Sequence, residues 1–151
     1  MLQSIRTWVY GLLTFHDMIV VIEKWRWPFI GMFDLPWGKI EHRESHSSAL
    51  EREIEEEIGL NAWEYRIDTL FSVEEDFVFH THDGVEKDEH LIAIVYSGTI
   101  TRWEFDMQYR ENGWDARAIR LIPWDDTILP KTNVLKQVLQ KYSRWEKAIT
   151  S

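Results

Sequence analysis

Apolar and polar positions divide the chain into segments with different periods. Residues 4–15 and 18–24 are rich in Trp, Val, Tyr, Leu, Ile and Phe on either side of the turn-like pair His16-Asp17, which predicts a hairpin of two strands. Residues 25–44, WRWPFIGMFDLPWGKIEHRE, carry Pro28, Gly31, Pro36 and Gly38, and these breakers predict a loop with one short strand. From Ser45 to Ile58 the apolar residues Leu50, Ile54 and Ile58 recur at every fourth position, as on an amphipathic helix, with Ser45 or Ser48 placed to cap it and Gly59 to end it. Residues 66–79 and 90–102 read as strands joined by the polar loop HTHDGVEKDEH, and a further strand near 116–122 follows Gly113. Pro130 and Thr132 introduce a last helix with Val134, Leu135, Val138, Leu139, Tyr142 and Trp145 on one face. Strands flanked by two helices predict a layered α/β domain.

Composition narrows the class. The 151 residues contain no linker-like, low-complexity or repeated segment, so one domain spanning 1–151 is expected. The absence of Cys excludes a disulfide framework, a thiolate zinc site and a Cys nucleophile. The first 24 residues hold no run of ~18 apolar positions, since Arg6, Thr7, Thr14, His16 and Asp17 interrupt them, and a soluble, cytoplasmic protein is expected. A net charge of −9 repels nucleic acid and anionic membrane over most of the surface, so neither is an expected partner. An anionic small-molecule substrate would need cations to hold it.

That requirement directs attention to GKIEHRESHSSALEREIEEEIGL, residues 38–60, which packs seven glutamates into one short stretch. With about 100° per residue, Glu53, Glu56 and Glu57 share one face of the helix while Glu51 and Glu55 lie on its back. Like charges three and four residues apart cost a few tenths of a kcal/mol per pair, a cost that a divalent cation removes. Oxygen-only carboxylate ligands suit a hard cation, and Mg²⁺ commonly bridges protein carboxylates to substrate phosphates. A solvated acidic helix face would carry the same Glu pattern, so the cluster alone does not decide between the two.

The rest of the stretch does more. It resembles the Nudix box, the pattern Gly, five residues, Glu, seven residues, Arg-Glu-apolar-x-Glu-Glu-x-Gly-apolar, which runs here through Gly38, Glu44, Arg52, Glu53, Ile54, Glu56, Glu57, Gly59 and Leu60. A chance match at one start is on the order of once in 10⁸. The resemblance implies an α/β/α sandwich on a mixed sheet and a MutT-like hydrolase that cleaves a nucleoside diphosphate linked to another group with Mg²⁺, or Mn²⁺ in its place. It implies Glu53, Glu56 and Glu57 as metal ligands, Glu53 doubling as a base, with Arg52 and Glu44 orienting loop and helix through an ion pair. Trp37 stands where the family usually has Gly, and its backbone carbonyl is a further candidate ligand. Glu111 is the candidate for an additional carboxylate from a later loop, and the histidines and acids of residues 80–90 are an alternative source. A homodimer is compatible with the resemblance.

Specificity lies outside the box. The downstream motif of NADH-type members and the upstream coenzyme A motif are absent, and Glu74-Glu75-Asp76-Phe77 occupies the place of the Pro or Tyr expected of ADP-ribose or dinucleoside polyphosphate hydrolases. A nucleoside triphosphate is therefore the expected substrate, with an ADP-ribose or nucleotide-sugar pyrophosphatase, or a non-catalytic nucleotide sensor, as alternatives. Asn133 is a candidate for reading the base, or else a helix cap. Arg26 or Arg43 is placed to hold a phosphate, and Trp25, Trp27, Trp37 or Trp114 to stack on the base.

Overall fold

The run WVYGLL at residues 8–13 is apolar at every position, a pattern a strand satisfies only when both of its faces are buried. The computed structural model, which describes residues 1–25, 28–109 and 118–150, places this run in β1 (Leu2–Phe15), the middle strand of the sheet. Trp8, Tyr10 and Leu12 enter the core on one face; Val9 and Leu13 enter a second core on the other.

His16 and Asp17, both at positive φ (49° and 64°), turn the chain into β2 (Met18–Glu23), which confirms the expected hairpin. The segment after it holds two short strands rather than the one expected, β3 (Phe33–Asp34) against β2 and β4 (Trp37–Lys39) against β1, both antiparallel. Pro36, which has no N–H to donate, lies between the two pieces. The first helix, α1 (His46–Ile58), begins at Ser45, whose hydroxyl accepts the Ser48 N–H at 3.1 Å, and stops at Gly59 in the left-handed region, with its N–H on the Glu55 carbonyl.

β5 (Tyr65–His82) and β6 (Val85–Ile100) form one long antiparallel hairpin. The stretch 80–90 is thus mostly strand, not the loop that its polarity predicts. Its turn is only Asp83-Gly84, both at positive φ, the conformation that an Asp-Gly pair favours between strands. Polar residues are accommodated because they meet partners across the sheet: His80 Nε2 lies 3.1 Å from Glu89 Oε2, and Arg6 Nε lies 2.9 Å from Glu89 Oε1.

β6 runs parallel to β1, β7 (Ile119–Ile122) is antiparallel to β2, and the path across the sheet is β3-β2-β1-β6-β5. α1 covers one face through Ala49, Leu50, Ile54 and Ile58; α2 (Asn133–Thr150) covers the other through Val134, Leu135, Val138, Leu139 and Tyr142. This is the α/β/α sandwich on a mixed sheet. Trp145 departs from the expected apolar face of α2 and is half exposed (50%).

Gly59 carries two constraints at once, φ +73° and the Tyr109 ring, whose Cδ2 would lie 2.6 Å from an added Cβ. Gly59→Ala is expected to cost more than about 1 kcal/mol. Thermal unfolding should show a midpoint lowered by at least about 2–4 °C.

Candidate active site

The site is built where β4 passes the outer face of α1. Along the ladder with β1, Gly11 N–H donates to the Pro36 carbonyl, and pairing then places Val9 opposite Gly38 and Tyr10 opposite Trp37. Because hydrogen-bonded and open pairs alternate in an antiparallel ladder, the Trp37 carbonyl points away from β1. Gly38 faces α1 so closely that a Cβ there would lie 2.0 Å from Glu53 Cγ and Cδ. The Glu53 side chain therefore crosses the space left by that glycine.

Arg52 is the centre of the charge arrangement. Its Nε and Nη2 donate to the two Glu44 oxygens at 2.9 and 3.0 Å, Nη2 also donates to the Lys39 carbonyl at 3.0 Å, and Nη1 donates to Glu53 Oε1 at 2.7 Å. Glu56 Oε2 lies 3.7 Å from the same Nη1. The Arg52 side chain, with help from the Glu41 N–H, holds the Glu44 carboxyl at about 2, and Glu44 foremost raises the guanidinium above its ordinary value.

The three carboxylates on one helix face differ in burial. Glu57 is 3% exposed, Glu53 is half-buried and Glu56 is exposed. Helical geometry accounts for this, since Glu57 lies about 60° from the centre of the Leu50-Ile54-Ile58 stripe and Glu56 about 160°. Trp37, Gly38, Arg52, Glu53 and Glu57 help line a cleft of about 230 Å³.

A NUDIX domain model matches residues 5–142, and thus includes β1 through most of α2. The chain belongs to the Nudix family. It is a hydrolase of pyrophosphate bonds, and enzymes of this family generally use divalent metals. Among solved structures, it resembles a MutT NUDIX hydrolase from Burkholderia pseudomallei at 25% identity and a TM-score of 0.62, over 91% of this chain and 98% of that one. A NUDIX hydrolase from Nitrosomonas europaea aligns at 17% identity and TM-score 0.65, over 93% and 90% of the two chains. The dihydroneopterin triphosphate pyrophosphohydrolase of E. coli aligns at 13% and 0.64, over 90% and 93%. No curated protein matches the chain.

The donor set of this Nudix site fits a hard divalent cation: carboxylate oxygens from one helix face, with a backbone carbonyl turned out of the ladder beside them. Among the described residues no three acidic or imidazole side chains already stand close enough together to hold a metal. The Arg52 guanidinium draws Glu53 and Glu56 toward itself, as the nearest positive charge.

Glu111, Arg26, Trp27 and Trp114 lie outside the described residues. Arg43 is exposed at φ 65°, and Trp25 is 54% exposed. Cap and base-reading candidate separate cleanly at α2: Thr132 Oγ1 accepts the Leu135 N–H, whereas Asn133 Nδ2 donates to Asp76 Oδ1 at 3.1 Å. Asp76 belongs to a buried polar group that sequence reasoning missed, with Tyr10, Lys24 and Asp34. Trp37 stacks on Trp8 at 4.0 Å, and the Lys24 ammonium lies 3.8 Å above the Trp37 ring. Burial pushes the Asp34 carboxyl up to about 6, against the opposing pull of Lys24 and of donors from Leu35 and Thr132. Burial, reinforced by Asp34, Asp76 and Glu57, raises the Tyr10 phenol well above its usual value, so that charge surrounds this ring from both the α1 and the α2 side. The available signal was alternation: Glu74 and Asp76 occupy inward positions of β5, spaced by two.

A carboxyl held low in the fold adds stability above its unfolded value, and that stability disappears as pH falls toward the folded one. Glu44 should therefore make the protein less stable between about pH 4.5 and pH 2. In urea unfolding at pH 5 and pH 3, Glu44→Gln is expected to show a smaller fall in midpoint than the unsubstituted protein, and a lower midpoint at pH 7.

Proposed function

We propose that this Nudix hydrolase is a Mg²⁺-dependent pyrophosphohydrolase, with Mn²⁺ an effective substitute, and that its substrate is a nucleoside triphosphate, standard or modified. The observation that carries the reading is the interlock of Gly38 with Glu53 beside buried Glu57, which brings box loop and box helix together at one cleft. Glu53, Glu56 and Glu57 and the Trp37 carbonyl would hold the metal. Bound there, it would neutralise phosphate charge, orient the diphosphate and acidify the attacking water.

The chain's own groups supply the positioning. Arg52 fixes Glu53 through Oε1, which orients this carboxylate for ligation or for accepting a proton from water. Glu44 fixes Arg52 in turn, and acts on the chemistry through that contact. On the α2 side, the Asp76–Asn133 pair supplies hydrogen-bonding groups for a base, and Trp8 and Trp37 supply a stacked aromatic wall. Trp37 also keeps its indole N–H buried with no acceptor among the described residues.

The test is product release from a panel of nucleoside triphosphates, dihydroneopterin triphosphate, ADP-ribose, a dinucleoside polyphosphate and a nucleotide sugar, with Mg²⁺ or Mn²⁺. Turnover is expected with a triphosphate and abolished by EDTA. Glu57→Gln should lower kcat on the order of 100-fold or more, and Glu111→Gln and Arg26→Ala test two of the four candidates outside the described residues. Selective turnover of ADP-ribose or a nucleotide sugar would replace the triphosphate assignment. Tight nucleotide binding without turnover would make the chain a sensor.

Asn133→Ala separates base reading from chemistry. It should raise KM for the preferred triphosphate by about 10-fold, the scale of one lost hydrogen bond, with kcat little changed.

A further inference from the structure

An unassigned cavity of about 360 Å³ lies between the C-terminal half of α2 and the sheet. It lies outside the hydrolytic cleft. Trp145, on its rim, follows Asn133 by twelve positions on α2, about 18 Å along the helix axis.

Local sequence explains why space remains there. Under the N-terminal half of α2, β1 and β6 present Tyr10, Ala93 and Val95, which share one core cluster with Leu135, Val138 and Leu139. Farther along, the same strands present Thr14, Ser97 and Thr99, whose side chains are short, and β5 shifts register twice, between Ile67 and Thr69 and between Leu70 and Ser72. Phe71, Tyr142 and Trp145 close the cavity as a chain of rings, with centroids 6.4 Å apart for the first pair and 5.6 Å for the second. Burial and the neighbouring Glu146 push the Tyr142 phenol up to about 12, so this wall stays uncharged.

The lining also indicates what kind of molecule fits. Ser97 Oγ donates to the Thr69 carbonyl and Thr14 Oγ1 to the Gly98 carbonyl, each at 3.4 Å, long enough that both hydroxyls can turn to a ligand without losing a strong bond. Asp68, at one side, accepts from Thr99 at 3.1 Å and from Arg66 at 2.6 Å. Among the described residues no Lys or Arg lines the cavity, and the nearby Arg66 is already engaged by Asp68, in a chain of net charge −9. A phosphate would enter without a counter-charge, which is costly. The volume is within the range of small-molecule sites, and the lining has their composition, aromatic walls with a few convergent polar groups.

We propose that this cavity is a second ligand site, which takes a planar heteroaromatic molecule that carries no negative charge. Its ligand stacks against Tyr142 and Trp145 and hydrogen-bonds the Thr14 and Ser97 hydroxyls. The site is separate in place and in charge preference from the phosphate-binding cleft, and it does not depend on the substrate assigned above.

The test is a titration of ¹⁵N-labelled full-length protein with adenosine and with 1-methylnicotinamide, read at the Trp145 indole N–H, which Trp145→Phe identifies among the nine tryptophans. Saturable movement of that signal is expected with either probe, with AMP at least 10-fold weaker than adenosine. Trp145→Ala, at a half-exposed position, and Ser97→Leu, which fills the cavity, should each abolish binding by equilibrium dialysis and leave triphosphate turnover unchanged. The proposal is overturned if neither probe moves the Trp145 signal, if AMP binds there as tightly as adenosine, or if binding survives both substitutions. Loss of turnover in Glu57→Gln with adenosine still bound would separate this site from the hydrolytic one.

Discussion

Arg52 is the contact on which the site depends. Glu44, Glu53 and Glu56 surround a single guanidinium, and its bidentate grip on Glu44 joins the box loop to the box helix. Remove that charge and three carboxylates repel one another over a few ångströms, with the loop no longer tied to α1. The same guanidinium donates to the Lys39 carbonyl, so the strand that carries Gly38 is held at the depth where Glu53 crosses it. Charge balance and backbone position are therefore one constraint, and the planar fork of Arg can meet it where the point charge of Lys cannot.

β1 carries this arrangement into the core. Its residues alternate between the α1 and α2 faces, so a single strand supports the acidic cleft through Val9 and the buried polar group through Tyr10. Tyr10 feels Glu57 from one side and Asp34 and Asp76 from the other. A nucleotide held as proposed, between Glu57 and the Asp76–Asn133 pair, would span that strand.

Replacement of the usual glycine by Trp37 shows how a local departure is absorbed. The backbone there is extended in β4, so a bulky residue meets no positive-φ penalty. Its ring is taken up by Trp8 and Lys24, on the α2 side, while Gly38, the next residue, faces the opposite way toward Glu53. Strand alternation separates the two roles: the glycine that is sterically required stays, and the one before it is free to become aromatic.

The pattern of apolar positions was enough to place both helices, the first hairpin and the long strands, because amphipathic periods record which faces are buried. The box spacing was enough to identify the family and to place Arg52, Glu44 and the three glutamates on a loop and a helix face. Asp83-Gly84 is legible as a turn, but the polar residues around it have the composition of a loop; their partners, such as Glu89 for His80, sit on another strand. Distinctions among equal letters came only from the tertiary structure. Glu57 is buried and Glu56 is not, Asp34 is raised while Glu44 is lowered, and Lys24 meets Trp37, because solvation and partner distance depend on residues far apart in the chain. Sequence alone determined which groups were available and on which element. The folded sheet decided which of them share a dielectric and a neighbour, since those are properties of space and not of order along the chain.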